Sequence, residues 1–198
     1  MMPKYDIEWA IDKLSQLNPD QKINTMLMTA AIITKLLEKE QIRPIIVGGF
    51  SLAIYSNENY TTRDIDIVVS ERNETTSLLQ RLGFKKGNQN YFHEKLEVVI
   101  DFPGDTLAGS SEKVNKIVID NTDSLYVYVI AIEDIIMDRL RAYLYWDEDI
   151  SKEWGMQILT LHFDKLDMQY MMEVGKGAEV IEESKEITKW IDECQEIL

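Results

Sequence analysis

One cysteine, Cys194, occurs in 198 residues. An internal disulfide and a cysteine-based zinc site are therefore excluded, and a reducing compartment is favoured. The two histidines, His93 and His162, show no His-x₃-His spacing, which argues against any histidine-based zinc site. No apolar run approaches the roughly 20 residues a transmembrane helix needs. The opening residues, Met1-Met2-Pro3-Lys4-Tyr5-Asp6-Ile7-Glu8, lack the apolar core of a signal peptide. The expectation is a cytoplasmic chain with no membrane partner. Basic residues are also scarce: 21 Lys and Arg face 35 Asp and Glu, for a net charge of −14. General DNA or RNA binding depends on clustered cations that release counterions, and no run of the sequence supplies them. The acidity favours metal-bound small substrates, cationic substrates or a basic protein partner.

What is present is an ordinary globular composition, 45% hydrophobic and 9% aromatic. A chain of this length buries a sizeable core without staples. Ile7, Ala10, Ile11, Leu14 and Leu17 predict one helix, broken at Asn18-Pro19-Asp20, and Ile23 to Leu37 predict a second. Ile45-Ile46-Val47 reads as a buried strand ending at Gly48-Gly49, with a short helix over Phe50–Tyr55. Ile65, Ile67 and Val69 alternate with Asp64, Asp66 and Val68, which predicts a strand with one apolar face. Thr75–Leu82 reads as helix, stopped at Gly83. Strands are predicted around Tyr91–His93, Leu96–Phe102, Lys116–Ile119 and Tyr126–Ile130. Helices are predicted from Ile132 to Tyr145, Ile150 to Phe163, Met168 to Glu173 and Ala178 to Ile191. The class is α/β or α+β, a mixed sheet with N-terminal helices and a C-terminal helical bundle. Residues 1–130 are expected to form the core and residues 131–198 a helical region packed on it.

Three features carry chemistry. Gly48-Gly49 at a strand-to-helix turn, followed by Ser51, allows close backbone approach and offers N–H groups to a phosphate. Taken alone, such a pair is often just a tight turn. Asp64 and Asp66, two apart on a strand, point to one side with backbone positions roughly 6–7 Å apart. Such carboxylates can converge on two cations roughly 3.5–4 Å apart, the arrangement for in-line phosphoryl displacement. A half-exposed strand with an acidic solvent face is the bland alternative. Asp101 ends an apolar strand, where it can act as a third ligand and as a base, or simply as a turn residue before Pro103-Gly104.

Together, Val47-Gly48-Gly49, Asp64-Ile65-Asp66-Ile67 and Asp101 resemble the DNA polymerase beta-like nucleotidyltransferase superfamily. Within it the chain looks most like minimal bacterial enzymes related to AbiEii-type abortive-infection toxins. Those often carry Thr two residues before the first Asp, as Thr62 stands here. Some carry Arg four residues before it, where this chain has Tyr60, with Arg63 nearby. The resemblance covers about Arg43 to Phe102. It implies transfer of a nucleotide from a nucleoside triphosphate to an acceptor, with Mg²⁺, two ions accompanying the bound triphosphate. Gly48, Gly49, Ser51 and Arg63 would contact nucleotide, Asp64, Asp66 and Asp101 would hold metal, and Asp101 would be the base. The acceptor is open between small molecule, RNA and protein. A non-catalytic nucleotide- or partner-binding module of the same fold is one alternative. A toxin component with an antitoxin-like partner is another.

In the helix from Ile132, Arg139 falls within the apolar stripe of Ile132, Ile135, Ile136, Leu140 and Tyr143, whereas Asp134, Asp138 and Arg141 fall off it. A guanidinium on that side must find an anion, which makes Arg139 a candidate nucleotide-phosphate contact, with a salt bridge to a protein carboxylate as the alternative. Trp146, Trp154 and Trp190 read as packing, Glu133-Asp134 as dipole-favoured residues at a helix start, and Glu182, Glu183 and Glu186 as a solvated face.

Overall fold

In a computed structural model the protein is described over residues 5–57, 59–122, 124–174 and 181–198. The chain forms two compact units, one of residues 1–53 and 61–130, the other of residues 54–60 and 131–198.

The first unit is built on a seven-stranded mixed sheet. Its strands are β1 (Ile45–Val47), β2 (Asp64–Val68), β3 (Lys85–Lys86), β4 (Asn90–His93), β5 (Val98–Asp101), β6 (Asn115–Asp120) and β7 (Leu125–Val129), in spatial order β3-β4-β5-β2-β1-β7-β6. β1 lies antiparallel to β2 and parallel to β7, and β2 is parallel to β5. Because β1 is paired along both edges and covered on both faces, all three of its residues are buried, which is why its sequence is a continuous apolar run rather than an alternation.

Helix α1 (Ile7–Ser15) starts at Asp6, whose carboxylate accepts the Trp9 N–H. It packs on α2 (Lys22–Leu37), and α2 packs on β7. Met26, Ala30, Ile32, Ile33 and Leu37 of α2 are almost wholly buried. Where α2 ends, Glu38 accepts the hydroxyls of Tyr126 and, at 2.7 Å, Tyr128, tying the helix terminus to β7. Burial and the Glu38 charge both push those phenols above their ordinary range. Helix α4 (Arg72–Arg81) begins one turn before the sequence predicted, and Gly83 ends it in the left-handed region at φ +94°.

Helix α3 (Gly48–Tyr55) begins in the first unit and runs to the start of the second. The second unit continues with α5 (Ile132–Trp146), α6 (Asp149–His162), α7 (Met168–Val174) and α8 (Ile181–Ile197). The predicted start of the last helix at Ala178 lies outside the described residues. Helix α5 contacts α6, α7 and α8. Gly155 of α6 is close enough to Trp190 of α8 that a Cβ would overlap the indole, so these helices touch where a side chain is missing. Within the same unit Tyr60 meets Trp154 edge to face, and His162 is hydrogen-bonded to the Tyr55 carbonyl at 2.8 Å.

Several sequence expectations are corrected. Asp134 is buried and accepts the Tyr170 hydroxyl, because α5 has neighbours on more than one side and its polar face is not free. Glu183 and Glu186 are also buried. Arg141, expected to point away from the core, donates to both Glu183 oxygens, and Tyr145 adds its hydroxyl. Burial disfavours the Glu186 charge, yet donors from Lys189 and Trp190 outweigh it and hold the carboxyl below its ordinary range. Trp146 is 71% exposed at the end of α5 rather than packed. The strand expected from Leu96 begins at Val98, because Glu97 adopts a left-handed turn conformation at φ +54° and leaves the sheet.

Candidate active site

The sheet register assembles the candidate site within the first unit. Val47, the last residue of β1, lies opposite Asp66 of β2, and Asp66 lies opposite Asp101 of β5. Three adjacent strands thus carry the Gly48 turn, Asp66 and Asp101 in a row. Asp64 shares the Asp66 side by the period of two along β2, and Asp101 shares it because register partners face the same way. The three carboxylates occupy one strip of one sheet face and are half-buried. The intervening Ile65, Ile67 and Ile100 point to the other face and are almost wholly buried. The core therefore fixes which way the aspartates point: a one-residue slip of β2 would bury two carboxylates and expose two isoleucines.

The turn after β1 is shaped around Asp66. Gly48 has φ +59°, and a Cβ placed on it would overlap the Asp66 carboxylate and come within 3.2 Å of the Asp66 Cβ. Two independent constraints, backbone conformation and space, demand glycine there. Gly49 follows within the first turn of α3. Ser51 is buried, and its hydroxyl donates to the Gly48 carbonyl at 2.7 Å, so the structure uses it to close the turn.

Hydrogen bonds also set the aspartates. Thr62 Oγ1 donates to Asp64 Oδ1 at 2.9 Å, and the Phe102 N–H donates to Asp101 Oδ1 at 2.8 Å. Arg63 is exposed immediately before β2. Arg139 lies in the second unit on α5, its side chain 21% exposed, and donates to its neighbour Asp138, with Nε–Oδ2 at 3.1 Å.

Among the described residues, no three carboxylate, imidazole or thiol groups already converge as a metal cage. The donor set nonetheless suits Mg²⁺, which typically takes one or two protein carboxylates and completes its shell with phosphate oxygens and water. Three like charges on one strip repel one another, and a divalent cation is the natural counter-charge.

Beside Asp101 opens a cleft of about 510 Å³ whose lining includes Arg72 and Lys86. Neither residue stands in a recognisable sequence motif, and the one signal in the chain is Lys85-Lys86 next to Gly87, a cationic pair at a hairpin too short to read as a strand.

A mixed sheet with a glycine turn and strand-borne aspartates of this kind defines a nucleotidyltransferase-type fold. An antigenic nucleotidyltransferase-like protein from Paracoccidioides brasiliensis superposes with a TM-score of 0.52 at 13% identity, covering 87% of this chain and 93% of that one. ANT(2'')-Ia in complex with adenylyl-2''-tobramycin is a more distant structural relative, with a TM-score of 0.45 and 14% identity over 83% of this chain and 94% of that one. No curated protein matches the chain by sequence. The family model described as "Nucleotidyltransferase of unknown function (DUF6036)" matches residues 24–193, and the chain belongs to that family. Among the described residues, no helix is long and apolar enough to cross a membrane.

Proposed function

We propose that the protein transfers a nucleotide from a nucleoside triphosphate to an acceptor hydroxyl, using Asp64, Asp66 and Asp101 with Mg²⁺. The observation that carries this reading is the register row Val47–Asp66–Asp101, which sets the glycine-only turn at Gly48 against one carboxylate and a second carboxylate beside it on the next strand. N–H groups of the Gly48-Gly49 turn would receive triphosphate oxygens. Asp64 and Asp66, with Asp101, would hold the metal, which when bound neutralises phosphate charge and favours in-line displacement. Asp101 would take the proton of the attacking hydroxyl. The new bond joins that oxygen to the α-phosphorus, the bond from the α-phosphorus to the bridging oxygen breaks, and pyrophosphate leaves.

Thr62 supports the finer likeness to AbiEii-type enzymes with a physical role. Its hydroxyl holds one Asp64 oxygen, which fixes the carboxylate rotamer and leaves the other oxygen to aim at a metal.

The test is incubation of each α-labelled nucleoside triphosphate with Mg²⁺ and cell extract, comparing wild type with the Asp64→Asn/Asp66→Asn double variant. Label transfer by wild type alone is expected. Equal transfer by both proteins would overturn the assignment, and absence of Mg²⁺-dependent nucleotide binding by wild type would favour a non-catalytic module.

A further inference from the structure

The lining of the cleft beside Asp101 holds more cations than acids, unlike the chain as a whole. The cleft lies at the end of β5, walled by the first turns of α4 and by the β3–β4 hairpin. Its volume of about 510 Å³ falls in the range of small-molecule sites. Two cations, Arg72 and Lys86, line it against one carboxylate, Asp101, although acids outnumber bases 35 to 21 in the whole chain. The hairpin alternates its two lysines. Lys85 is paired with Glu94 at 2.6 Å, whereas Lys86, the next residue and so on the other side of the strand, has no acidic partner among the described residues and lines the cleft. Arg72 stacks over the Phe102 ring at 5.1 Å from its centre. Its ion pair with Asp105 spans 3.7 Å with both side chains well exposed, so it is weak and exchangeable. Asn88 and Gln89 supply amides that can both donate to and accept from hydroxyls.

We infer that this cleft binds a small hydroxylated molecule carrying one anionic group, the anion held by Arg72 and Lys86 on the sheet face that Tyr91 and Ile100 share, opposite the aspartate strip. Overall acidity does not oppose it. Charges farther off than the Debye length, about 8 Å at physiological salt, are screened, whereas a guanidinium and an ammonium lining the same cleft act at contact distance.

The experiment follows backbone amide resonances of the full chain during titration with ribose 5-phosphate, gluconate, neutral ribose and cationic glucosamine. The expected result is saturable shifts at Arg72–Thr76 and Lys86–Tyr91 with at least one of the two anions. Ribose and glucosamine should bind at least about tenfold more weakly, and Arg72→Gln/Lys86→Gln should weaken anion binding by a similar factor. Both positions are solvent-accessible, so an unchanged thermal midpoint is expected to accompany that loss. Ribose or glucosamine binding as tightly as the anions, shifts confined to other residues, or an unchanged affinity in the double variant would each overturn the inference.

Discussion

Gly48 and Asp66 share one space: the position a Cβ on Gly48 would fill is taken by the Asp66 carboxylate. The glycine is thus required by the aspartate as much as by its own φ of +59°. The sequence motif of a Gly-Gly turn and a later Asp-x-Asp has a direct steric origin here, because antiparallel pairing sets Val47 against Asp66.

Gly48→Ala should therefore cost both stability and nucleotide affinity. The left-handed conformation alone costs an alanine roughly 1–2 kcal/mol. Displacement of the carboxylate adds to that. If the overlap is the larger effect, Gly48→Ala in an Asp66→Ala background should be much milder, with a coupling of about 0.5–3 kcal/mol in a denaturation cycle. Strict additivity would show that the backbone conformation alone demands glycine.

Asp101→Asn keeps the shape of the strand end and its acceptance of the Phe102 N–H, but removes a proton acceptor. Turnover of a small acceptor should fall by about 10²- to 10⁴-fold, as for loss of a general base. Mg²⁺-dependent nucleotide affinity should fall less than in Asp64→Asn. Steady-state kinetics and nucleotide titration separate the two, and a fall in affinity alone would make Asp101 a ligand and not a base.

Sequence pattern reached those residues because β2 and β5 are alternating or apolar strands, where period and burial leave little freedom. It placed the apolar stripe of β2 correctly for the same reason that its aspartates share a face. It failed in the helices of the second unit, where α5 meets three other helices and the polar face of one becomes the inner face of another. Nothing in the spacing of Arg141 and Glu183, 42 residues apart, announces that they pair. For Arg139 the apolar stripe announces only that an anion is needed, and Asp138, one residue away, is one that the guanidinium reaches. The cleft beside Asp101 was illegible because its walls come from a helix start, a two-residue strand and a strand end, none with a periodic signal of its own.

The Arg141–Glu183 pair should be a main support of the second unit. Glu183 has a side chain only 4% exposed and receives Arg141 and Tyr145 together. Arg141→Ala leaves a buried carboxylate short of its cation, which typically costs about 3–5 kcal/mol. Because Arg141 itself is 34% exposed, water can partly replace it, and the low end of that range is expected. Arg141→Met/Glu183→Leu should recover much of the loss, since an apolar pair has no charge to satisfy. Urea unfolding of the three proteins checks this, and a double variant no better than Arg141→Ala would mean the charge was not the problem.

His93 predicts a pH dependence of stability. Burial holds its imidazole below the ordinary value of 6.5, and the Leu96 N–H donates to Nδ1 at 3.3 Å, a contact that requires that nitrogen to be unprotonated. The ring also packs edge to face on Phe84. The native state therefore favours neutral histidine, while the unfolded chain protonates it near its ordinary value. The contribution to stability is complete above pH 6.5, declines as the pH falls from there toward the lower native value, and is lost below it. His93→Gln cannot titrate and should flatten this part of the stability profile while leaving the carboxylate-driven acid limb. Unfolding midpoints of the two proteins, measured at intervals from neutral pH downward, should diverge most near neutrality and converge toward acid. Parallel profiles across that window would show that His93 is not the titrating group.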